Sequence, residues 1–404
     1  MINISKLYCG HSNDSDALRY GEGQSAPSSA QERRPVVVWN VTKSCNLRCI
    51  HCYTSSEAKR YAGELTTEEG RRLLEDLSDF KIPALLLSGG EPLTRGDLFE
   101  LASHAKELGL RCTLSTNGTL MTEDVALQIK KAGFVYVGIS LDGIGTTNDH
   151  FRGREGAFRA AVRGFRNCLA VGQKVGLRMT LTHHTIRDLD RIFDFIEEEG
   201  IHRACFYHLV YSGRGGALSS WDLKPEESRQ AMEVILKRTK AFSENGFPRE
   251  ILTVDNHVDG VYLYLKLLQE DPERAEKVRK LLEWNGGGLY SSGIGIADID
   301  FQGNVHPDQF WMHYTLGNIR ERKFSEIWQD DRDPLLYGLR HRAYFLKGRC
   351  RFCKFFKMCG GSFRVRADLL YKDPWAPDPA CYLTDEEIGL GPKEKVLLGE
   401  RGET

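Results

Sequence analysis

Residues 35–52 read PVVVWNVTKSCNLRCIHC and place three cysteines just after an apolar run. The run itself, residues 35–41, predicts a buried β-strand because it is continuous and rich in valine. Cys45, Cys49 and Cys52 follow it on one short loop with the spacing Cys-x3-Cys-x2-Cys. Three thiolates on a four-iron cluster leave one iron open to a further ligand, whereas four thiolates close the cluster. Because the spacing does not match a zinc ribbon or finger, the stretch predicts an iron–sulfur loop in preference to a zinc site or three unrelated cysteines.

The rest of the first half of the chain alternates strand patterns with helix patterns. A helix is predicted to begin near Thr66, because Glu69 three residues later completes a capping-box pattern. Such alternation is typical of a parallel sheet, open or curled into a partial barrel, with its site at the carboxyl ends of the strands. The six predicted strands cover residues 35–41, 83–90, 111–118, 134–143, 175–182 and 204–210.

The alternation stops after Tyr211, where the chain becomes mainly helical and charged and then, from about residue 293, irregular and rich in turns. Residues 21–34 are polar and predict a flexible linker. Four segments are therefore predicted: an N-terminal arm and linker (1–34), an α/β barrel (35–215), a mainly helical connection (216–292) and a C-terminal domain (293–404).

The chain has 404 residues and 11 cysteines, with 55 Lys and Arg against 56 Asp and Glu. The net charge is −1, and acidic and basic residues are interspersed along the chain, so the sequence shows no basic patch of the kind that binds nucleic acid or an anionic membrane surface. No apolar run approaches the roughly 20 residues of a membrane span, and the first residues lack the apolar core of a signal peptide. A cytoplasmic location is expected, in which an odd cysteine count favours metal or redox chemistry over disulfides. The isolated Cys112, Cys168 and Cys205 are expected to pack as small apolar residues.

Three short motifs and one arginine stand at or beyond the ends of the predicted strands. SGGEP (88–92) ends the second strand, STNG (115–118) ends the third and SLDG (140–143) ends the fourth. Arg152 follows Ser140 by twelve residues. Each motif alone is weak, but their order and placement after the three-cysteine loop resemble the radical S-adenosylmethionine (SAM) superfamily.

This resemblance implies a partial (β/α)6 barrel and reductive cleavage of SAM to a 5′-deoxyadenosyl radical at a 4Fe–4S cluster held by Cys45, Cys49 and Cys52. It also implies that the SGGEP turn receives the amino group of SAM and that Arg152 pairs with its carboxylate, which suits a planar guanidinium. His51 stands where the superfamily often has an aromatic residue and is not expected to be a ligand. The residues implied to bind SAM are Gly89, Gly90, Glu91, Thr116, Asn117, Ser140, Asp142 and Arg152.

Four more cysteines lie near the end of the chain as Cys350-x2-Cys353-x5-Cys359-x21-Cys381. The first two spacings resemble the auxiliary-cluster pattern of SPASM (twitch-like) C-terminal domains, and a structural four-thiolate zinc site is the alternative. Because no cysteine lies between Cys205 and Cys350, one auxiliary cluster is predicted, which makes two 4Fe–4S clusters in all. Four protein ligands favour an electron-transfer or structural role over substrate ligation.

Longer stretches narrow the resemblance and cover essentially the whole chain, among them ISKLYCG, RPVVVWNVT, YHLVYSGRG, VHPDQFWMHYTLGNIRER and DPWAPDPACYLTDEEIG. They resemble the 12,18-didecarboxysiroheme deacetylases of heme biosynthesis, whose nearest paralogues act in heme d1 biosynthesis. The resemblance implies removal of two acetate side chains from this iron tetrapyrrole to give iron-coproporphyrin III, with flavodoxin or ferredoxin as electron donor. A carbon radical suits this task, because unactivated C–H bonds need a strong hydrogen abstractor.

A tetrapyrrole that carries several carboxylates needs cationic partners, and its iron can accept an imidazole. The candidate substrate residues are His208, Arg214, His306, His313, Arg320, Arg364 and Arg366. The arginines could instead form ordinary surface ion pairs, and His208, at the end of the sixth predicted strand, could instead be a packed residue of the barrel. His208 and Tyr211 are the candidate catalytic residues.

Three other functions stay open at this point. The heme d1 reaction would remove propionates from the same substrate. A peptide-modifying SPASM maturase would be expected to carry an N-terminal peptide-recognition domain, whereas about 34 residues precede the first strand. A non-enzymatic iron–sulfur electron carrier would not need the three SAM motifs and Arg152.

Overall fold

The computed structural model describes residues 1–21, 33–392 and 394, and the strands within them form one mixed sheet. Its strand order is β1-β8-β7-β6-β5-β4-β3-β2-β9-β10-β11. The strands are β1 (Ile2–Asn3), β2 (Val36–Thr42), β3 (Leu85–Gly89), β4 (Cys112–Thr116), β5 (Tyr136–Ser140), β6 (Val175–Leu181), β7 (Arg203–His208), β8 (Glu250–Val254), β9 (Ile296–Ile299), β10 (Asn304–His306) and β11 (Gly317–Asn318).

Sixteen α-helices occur in the described residues, and none of them has both the length and the apolar character needed to cross a bilayer. They are α1 (Asp16–Tyr20), α2 (Thr67–Asp79), α3 (Leu98–Glu107), α4 (Glu123–Ala132), α5 (Thr146–Arg152), α6 (Ala157–Ala170), α7 (Leu189–Glu198), α8 (Pro225–Glu244), α9 (Val258–Glu270), α10 (Pro272–Asn285), α11 (Phe324–Gln329), α12 (Pro334–Arg340), α13 (Gly348–Phe352), α14 (Phe356–Cys359), α15 (Arg364–Tyr371) and α16 (Asp385–Ile388).

Seven consecutive strands, β2 to β8, lie side by side in parallel. The first six are the predicted strands, each within three residues of its predicted bounds. On the other side of β2, β9 adds a further parallel strand, and β10 and β11 continue antiparallel. The predicted strand–helix barrel is therefore confirmed, with extra strands on both sides.

The sheet curves around a cavity, as the side chains that line it show. Val38, Ser88, Ser115, Arg178 and Tyr207 come from five different strands, β2, β3, β4, β6 and β7, and all of them face that cavity. Successive side chains of a strand point to opposite faces, so these residues share the concave face. This arrangement is a partial barrel rather than a flat sheet.

The first covering helix shows how the sequence specifies the outer layer. Thr66 caps α2 by accepting a hydrogen bond from the Glu69 amide, and the Glu69 side chain accepts from the Thr66 amide in return. Leu73, Leu74 and Leu77 on one face of the helix are then buried against the sheet. Each such leucine stabilises the fold by about 1.5–3 kcal/mol relative to an exposed position. The predicted helix start is confirmed.

The N-terminal arm is part of the sheet, because β1 pairs antiparallel with β8. Ser5 Oγ donates to the Arg249 carbonyl at 2.5 Å and accepts from the Ile251 amide at 2.9 Å. Asn3 Nδ2 donates to Asp16 Oδ1 at 2.8 Å and ties the arm to α1. The arm thereby covers one edge of the sheet, which would otherwise present unpaired backbone groups.

All four predicted segments contribute to this one sheet: the arm supplies β1, the barrel β2–β7, the connection β8 and the C-terminal region β9–β11. The sequence prediction of a mainly helical connection missed β8, the run EILTV. Most of the predicted linker, residues 22–32, lies outside the described residues. The segment boundaries stay a prediction.

The isolated cysteines pack as expected. Cys112, Cys168 and Cys205 are buried, and burial raises the pKa of Cys112 and Cys168 to about 12. Cys112 and Cys168 therefore stay protonated near neutral pH, and all three cysteines pack as small apolar residues. Cys9, in the N-terminal arm, is partly exposed.

Candidate functional site

A cavity of about 700 Å³ runs along the inside of the barrel, and residues from both the carboxyl and the amino ends of the strands line it. This volume lies in the range of ligand-binding pockets, about 300–1,000 Å³. The predicted site residues on its wall are Cys45, Cys49, Cys52, Gly89, Gly90, Thr116, Asn117, Ser140, Arg152, His208 and Arg214.

All three sulfur atoms of the cysteine loop have hydrogen-bond donors nearby. The Leu47 amide lies 3.4 Å from Cys45 Sγ, and the Ser56 amide lies 3.4 Å from Cys52 Sγ. Arg152 Nη1 lies 3.7 Å from Cys49 Sγ. Hydrogen bonds to sulfur stabilise thiolates and tune the potential of a cluster that they bind.

Burial controls the protonation of two of these cysteines. It raises the pKa of Cys45 to about 12 and also raises the pKa of Cys49. Cys45 and Cys49 therefore keep their protons until metal binding releases them. Three thiols on one cavity wall, each with a donor, fit an iron–sulfur cluster that has one iron open towards the cavity.

Arg214 holds this loop by hydrogen bonds to its backbone carbonyls, so only part of its guanidinium is free to bind a ligand. Its Nε donates to the Cys49 carbonyl at 2.7 Å, and its Nη1 donates to the Ser56 carbonyl at 2.9 Å. Its own amide donates to the Cys52 carbonyl at 3.0 Å. The remaining Nη2 is buried without a hydrogen-bond partner among the described residues. The first role of Arg214 is thus to hold the loop, and its role as a substrate partner stays a prediction.

The glycine turn at the end of β3 lies directly against the cysteine loop. The Gly90 amide donates to the Thr42 carbonyl at 2.7 Å, and the Glu91 amide donates to the Ser44 carbonyl at 2.8 Å. A Cβ on Gly90 would lie 2.2 Å from the Ser44 carbonyl oxygen, so no side chain fits there. Glycine at this position permits the close approach of two backbones.

We expect Gly90→Ala to separate these two loops, because its Cβ would overlap the backbone of Ser44. The cost is about 1–3 kcal/mol, typical of overpacking, and SAM binding should weaken with it. Thermal unfolding and equilibrium binding of SAM measure both effects. Gly96→Ala is the matched control, since a Cβ there meets nothing within 4 Å. Equal behaviour of the two variants would contradict the prediction.

Glu91 is buried and joins the SGGEP motif to the STNG motif by hydrogen bonds, and it does not line the cavity. Its Oε1 accepts from Thr116 Oγ1 at 2.7 Å, and its Oε2 accepts from the Asn117 amide at 2.8 Å. Asn117 Nδ2 in turn donates to Asn46 Oδ1 at 2.9 Å and lies 3.9 Å from Cys45 Sγ. The structure therefore places Glu91, a predicted SAM ligand, behind the wall, where it positions Thr116 and Asn117.

Asp142 likewise lies behind the wall, fully buried. It forms an ion pair with Arg152, accepts from the Thr180 amide at 2.6 Å and lies 3.5 Å from His51 Nε2. The paired Arg152 reaches the cavity, and its Nε has no hydrogen-bond partner among the described residues. Asp142 was also predicted to bind SAM, whereas its placement makes it the residue that orients Arg152.

The four C-terminal cysteines lie around one small cavity. Cys350, Cys353, Cys359 and Cys381 line this apolar cavity beside α9 and α14. Burial, and after it the three neighbouring cysteines, raises the pKa of Cys359 well above its ordinary value. Their role as the ligands of an auxiliary cluster or of a four-thiolate zinc site stays a prediction.

His208 lies on the cavity wall at the end of β7 and is held by a carboxylate. Its Nε2 lies 3.0 Å from Asp259 Oδ2, and the Tyr382 hydroxyl donates to Asp259 Oδ1 at 2.7 Å. Burial alone would lower the pKa of His208, but Asp259 raises it above the ordinary value. Tyr211 is different, because its hydroxyl donates to Asp222 at 2.6 Å and its side chain does not line the cavity.

The other predicted substrate residues lie away from the cavity, which corrects the sequence-based candidates. The His306 ring bonds the Tyr314 carbonyl at 2.7 Å, and the partly exposed His313 pairs with Asp368 at 2.7 Å. Arg320 pairs on the surface with Glu69 at 2.6 Å.

Arg364 and Arg366 are fully buried structural side chains and are corrected in the same way. Arg364 donates to the Ala376 carbonyl at 2.6 Å. Arg366 binds both oxygens of Asp378 at 2.8 and 3.0 Å. Arg366 also donates to the Leu209 and Asp255 carbonyls, and neither arginine lines the cavity.

Many polar residues of the cavity wall were not predicted from the sequence, among them Arg178, Asp255 and His257. Arg178 projects from β6, and Asp255 and His257 follow β8. No short motif surrounds them, and β8 itself was missed. A strand pattern at EILTV would have placed Asp255 and His257 at the same carboxyl edge as the other site residues.

A partial α/β barrel that presents a three-cysteine loop beside a glycine-rich ligand turn defines an iron–sulfur enzyme that binds a cofactor at its cluster. A family model described as the Radical SAM superfamily matches residues 39–196. The chain is 54% identical over 397 residues to an Fe-coproporphyrin III synthase of Methanosarcina barkeri, which covers 96% of this chain and 99% of that protein. The chain belongs to the radical SAM superfamily.

Two further comparisons agree with this assignment. A pre-heme d1 synthase of Dinoroseobacter shibae is 46% identical, over 88% of each chain. The crystal structure of Streptococcus suis SuiB bound to precursor peptide SuiA has a similar fold, with a TM-score of 0.69 at 19% identity over 87% of this chain and 76% of that chain. The predicted superfamily, fold class and enzyme class are confirmed, and the superfamily implies a 4Fe–4S cluster and SAM.

Proposed function

We propose that this radical SAM enzyme acts in heme biosynthesis and removes two acetate side chains from 12,18-didecarboxysiroheme to give iron-coproporphyrin III. The observation that carries the proposal is the identity of 54%, over nearly the full length of both chains, to an Fe-coproporphyrin III synthase. The cavity of about 700 Å³ beside the three-cysteine loop supports it, since the reacting carbon must lie close to SAM.

In this proposal the three-cysteine loop holds the cluster, which when bound supplies the electron that cleaves SAM to a 5′-deoxyadenosyl radical. Gly89, Gly90, Thr116, Asn117, Ser140 and Arg152 line the cavity next to that loop and bind SAM. The unpartnered Nε of Arg152 supports its role as the partner of the SAM carboxylate. Asp142 keeps the guanidinium in place through the ion pair described above.

His208 and Arg214 present positive charge to the carboxylates of the substrate. The raised pKa of His208 favours an imidazolium, which Asp259 fixes in orientation. The unpartnered Nη2 of Arg214 offers a donor on the same wall. Either group can bind a carboxylate by a charge-assisted hydrogen bond.

We further propose that Cys350, Cys353, Cys359 and Cys381 hold a second 4Fe–4S cluster that accepts or relays an electron after the radical step. The four thiols share one cavity. The buried Arg342 lies close enough to Cys359 for the two charges to interact, and its hydrogen-bond partners are carbonyls at 3.2–3.5 Å. Burial and the nearby Arg364 lower the pKa of Arg342 to about 9. A net negative cluster beside it would stabilise its charged form.

We expect Cys353→Ala to lose one of two clusters and to lose product formation, while 5′-deoxyadenosine still forms. Iron and sulfide analysis, electron paramagnetic resonance (EPR) and product quantification measure these effects. Cys168→Ala is the control, because this buried cysteine of α6 lies outside both sites. Full turnover by Cys353→Ala would remove the electron-relay role, and zinc in place of iron would assign the structural alternative.

The function is tested by anaerobic turnover of the reconstituted enzyme with SAM, a reductant and 12,18-didecarboxysiroheme, followed by mass spectrometry. Loss of two acetates is the expected result. Loss of propionates would move the assignment to the heme d1 reaction, which the identity of 46% to a pre-heme d1 synthase makes the second candidate. Absence of 5′-deoxyadenosine with substrate present would favour an electron carrier. A flavodoxin or ferredoxin donor and a cytoplasmic location stay predictions.

A further inference from the structure

His257 stands out among the cavity residues that no motif assigns. It follows β8, lines the same cavity as His208, and is 5% exposed. Its Nδ1 is buried and has no hydrogen-bond partner among the described residues. A buried polar atom without a partner in a ligand cavity indicates that the partner comes from the ligand.

The chemical state of this ring suits a metal ion. Burial, and after it the positive charges of the Met1 amino group and of Arg342, lower the pKa of His257 well below its ordinary value, so the imidazole is neutral. A neutral imidazole with a free lone pair is the form that binds iron, whereas an imidazolium has none.

The other histidines of the cavity are less suitable. His208 is held by Asp259 through its Nε2, and its pKa is shifted towards the charged form. His51 belongs to the cysteine loop, where its Nε2 faces Asp142 at 3.5 Å and its ring packs on Phe151 at 4.6 Å between centroids. Of these three histidines, His257 is the one outside the cysteine loop whose Nδ1 has no hydrogen-bond partner among the described residues.

The backbone around His257 is fixed from both sides. The His257 amide donates to Ser362 Oγ at 3.1 Å, and Asn256 Nδ2 donates to the Ala380 carbonyl at 3.0 Å. Asp255 adopts a left-handed conformation with φ of 65°. Such a conformation in a non-glycine residue persists only where the surroundings enforce it and is often found at functional sites. The ring is thereby presented by a rigid turn, as a ligand site requires.

We propose that His257 is the protein ligand to the iron of the tetrapyrrole substrate. The inference rests on the proposed function for its iron-containing substrate class. It adds a specific residue that replaces the sequence-based candidates His306 and His313, both of which lie outside the cavity. Ligation at this point would fix the macrocycle against the wall formed by the turn after β8.

The test compares iron(III)-coproporphyrin III with metal-free coproporphyrin III as anaerobic probes of the full-length, cluster-loaded enzyme. We expect the wild-type enzyme to bind both and to give the absorption and EPR spectra of histidine-ligated iron with the first. His257→Ala should lose that signature and bind the iron form about tenfold or more weakly, as for lost metal-site contacts. Its affinity for the metal-free form should be unchanged, and added imidazole should restore the iron spectrum.

His313→Ala is the matched control, because this partly exposed histidine lies outside the cavity. Cluster absorbance and thermal unfolding establish that each variant is folded, and His257→Gln provides a second variant of similar volume. An unchanged iron spectrum and affinity in His257→Ala would overturn the inference alone and leave the proposed function standing. Failure of the wild-type enzyme to bind either porphyrin would overturn both.

Discussion

Replacement of Cys49 by alanine will abolish the formation of 5′-deoxyadenosine. Cys49 is the middle cysteine of the three-cysteine loop, and its sulfur faces the cavity beside Arg152. With two thiolates left, the loop cannot hold a four-iron cluster that keeps one iron open for SAM. Activity should fall to the background of the assay, while the C-terminal cluster that we propose should remain. Chromatographic quantification of 5′-deoxyadenosine and iron analysis measure the two effects.

Cys9→Ala is the control for this variant, because Cys9 is a partly exposed cysteine of the N-terminal arm. It removes a thiol without touching either group of clustered cysteines, so its iron content and SAM cleavage should match the wild type. Circular dichroism separates loss of the cluster from loss of the fold. Retention of SAM cleavage by folded Cys49→Ala would disprove the assignment of the loop.

The barrel and the cysteine loop could be predicted because their signals are local. A strand such as β2 is a continuous apolar run, and α2 begins with its own capping pair, Thr66 and Glu69. The spacing of Cys45, Cys49 and Cys52 is likewise contained in eight residues. Local patterns of this kind do not depend on how distant segments pack.

The substrate side of the site could not be predicted in the same way. Arg364 and Arg366 have the residue type that a carboxylate requires, yet both are buried away from the cavity. Arg364 donates to the Ala376 carbonyl, and Arg366 lies between Asp378 and the carbonyls that follow β7 and β8. Residue type gives the chemistry of a side chain but not its direction. Conversely, His257 follows β8, a strand of five residues inside a charged segment, and pairing with β7 is what places it. Tertiary contacts therefore decide which polar residues face the cavity.

The SAM motifs show an intermediate case. SGGEP and SLDG were correctly placed at strand ends, but Glu91 and Asp142 within them do not line the cavity. Each instead binds residues that do line the cavity. Glu91 accepts hydrogen bonds from Thr116 and Asn117, and Asp142 forms an ion pair with Arg152. A motif identifies a site without separating the residues that touch a ligand from those that orient them.

We expect Arg366→Met to be strongly destabilising, because Arg366 joins three parts of the molecule. It binds Asp378 with two nitrogens, the Leu209 carbonyl after β7 at 2.9 Å and the Asp255 carbonyl after β8 at 2.8 Å. Removing one partner of a buried ion pair leaves an uncompensated charge and costs about 3–5 kcal/mol. Chemical denaturation under anaerobic conditions measures the free energy of unfolding. Arg322→Met, at a partly exposed pair with Asp330, is the control and should change it little.

The cause of this loss can be isolated by changing Asp378 as well. Burial alone would raise the pKa of Asp378, but Arg366 holds it at about 2. A lowered pKa stabilises the fold above the unfolded value of about 3.9, and this contribution disappears as the pH falls towards 2. The penalty of Arg366→Met should therefore be largest at neutral pH and shrink in acid. Asp378→Asn in the same chain should recover part of the loss, whereas additive losses in the double variant would show that the two side chains act independently.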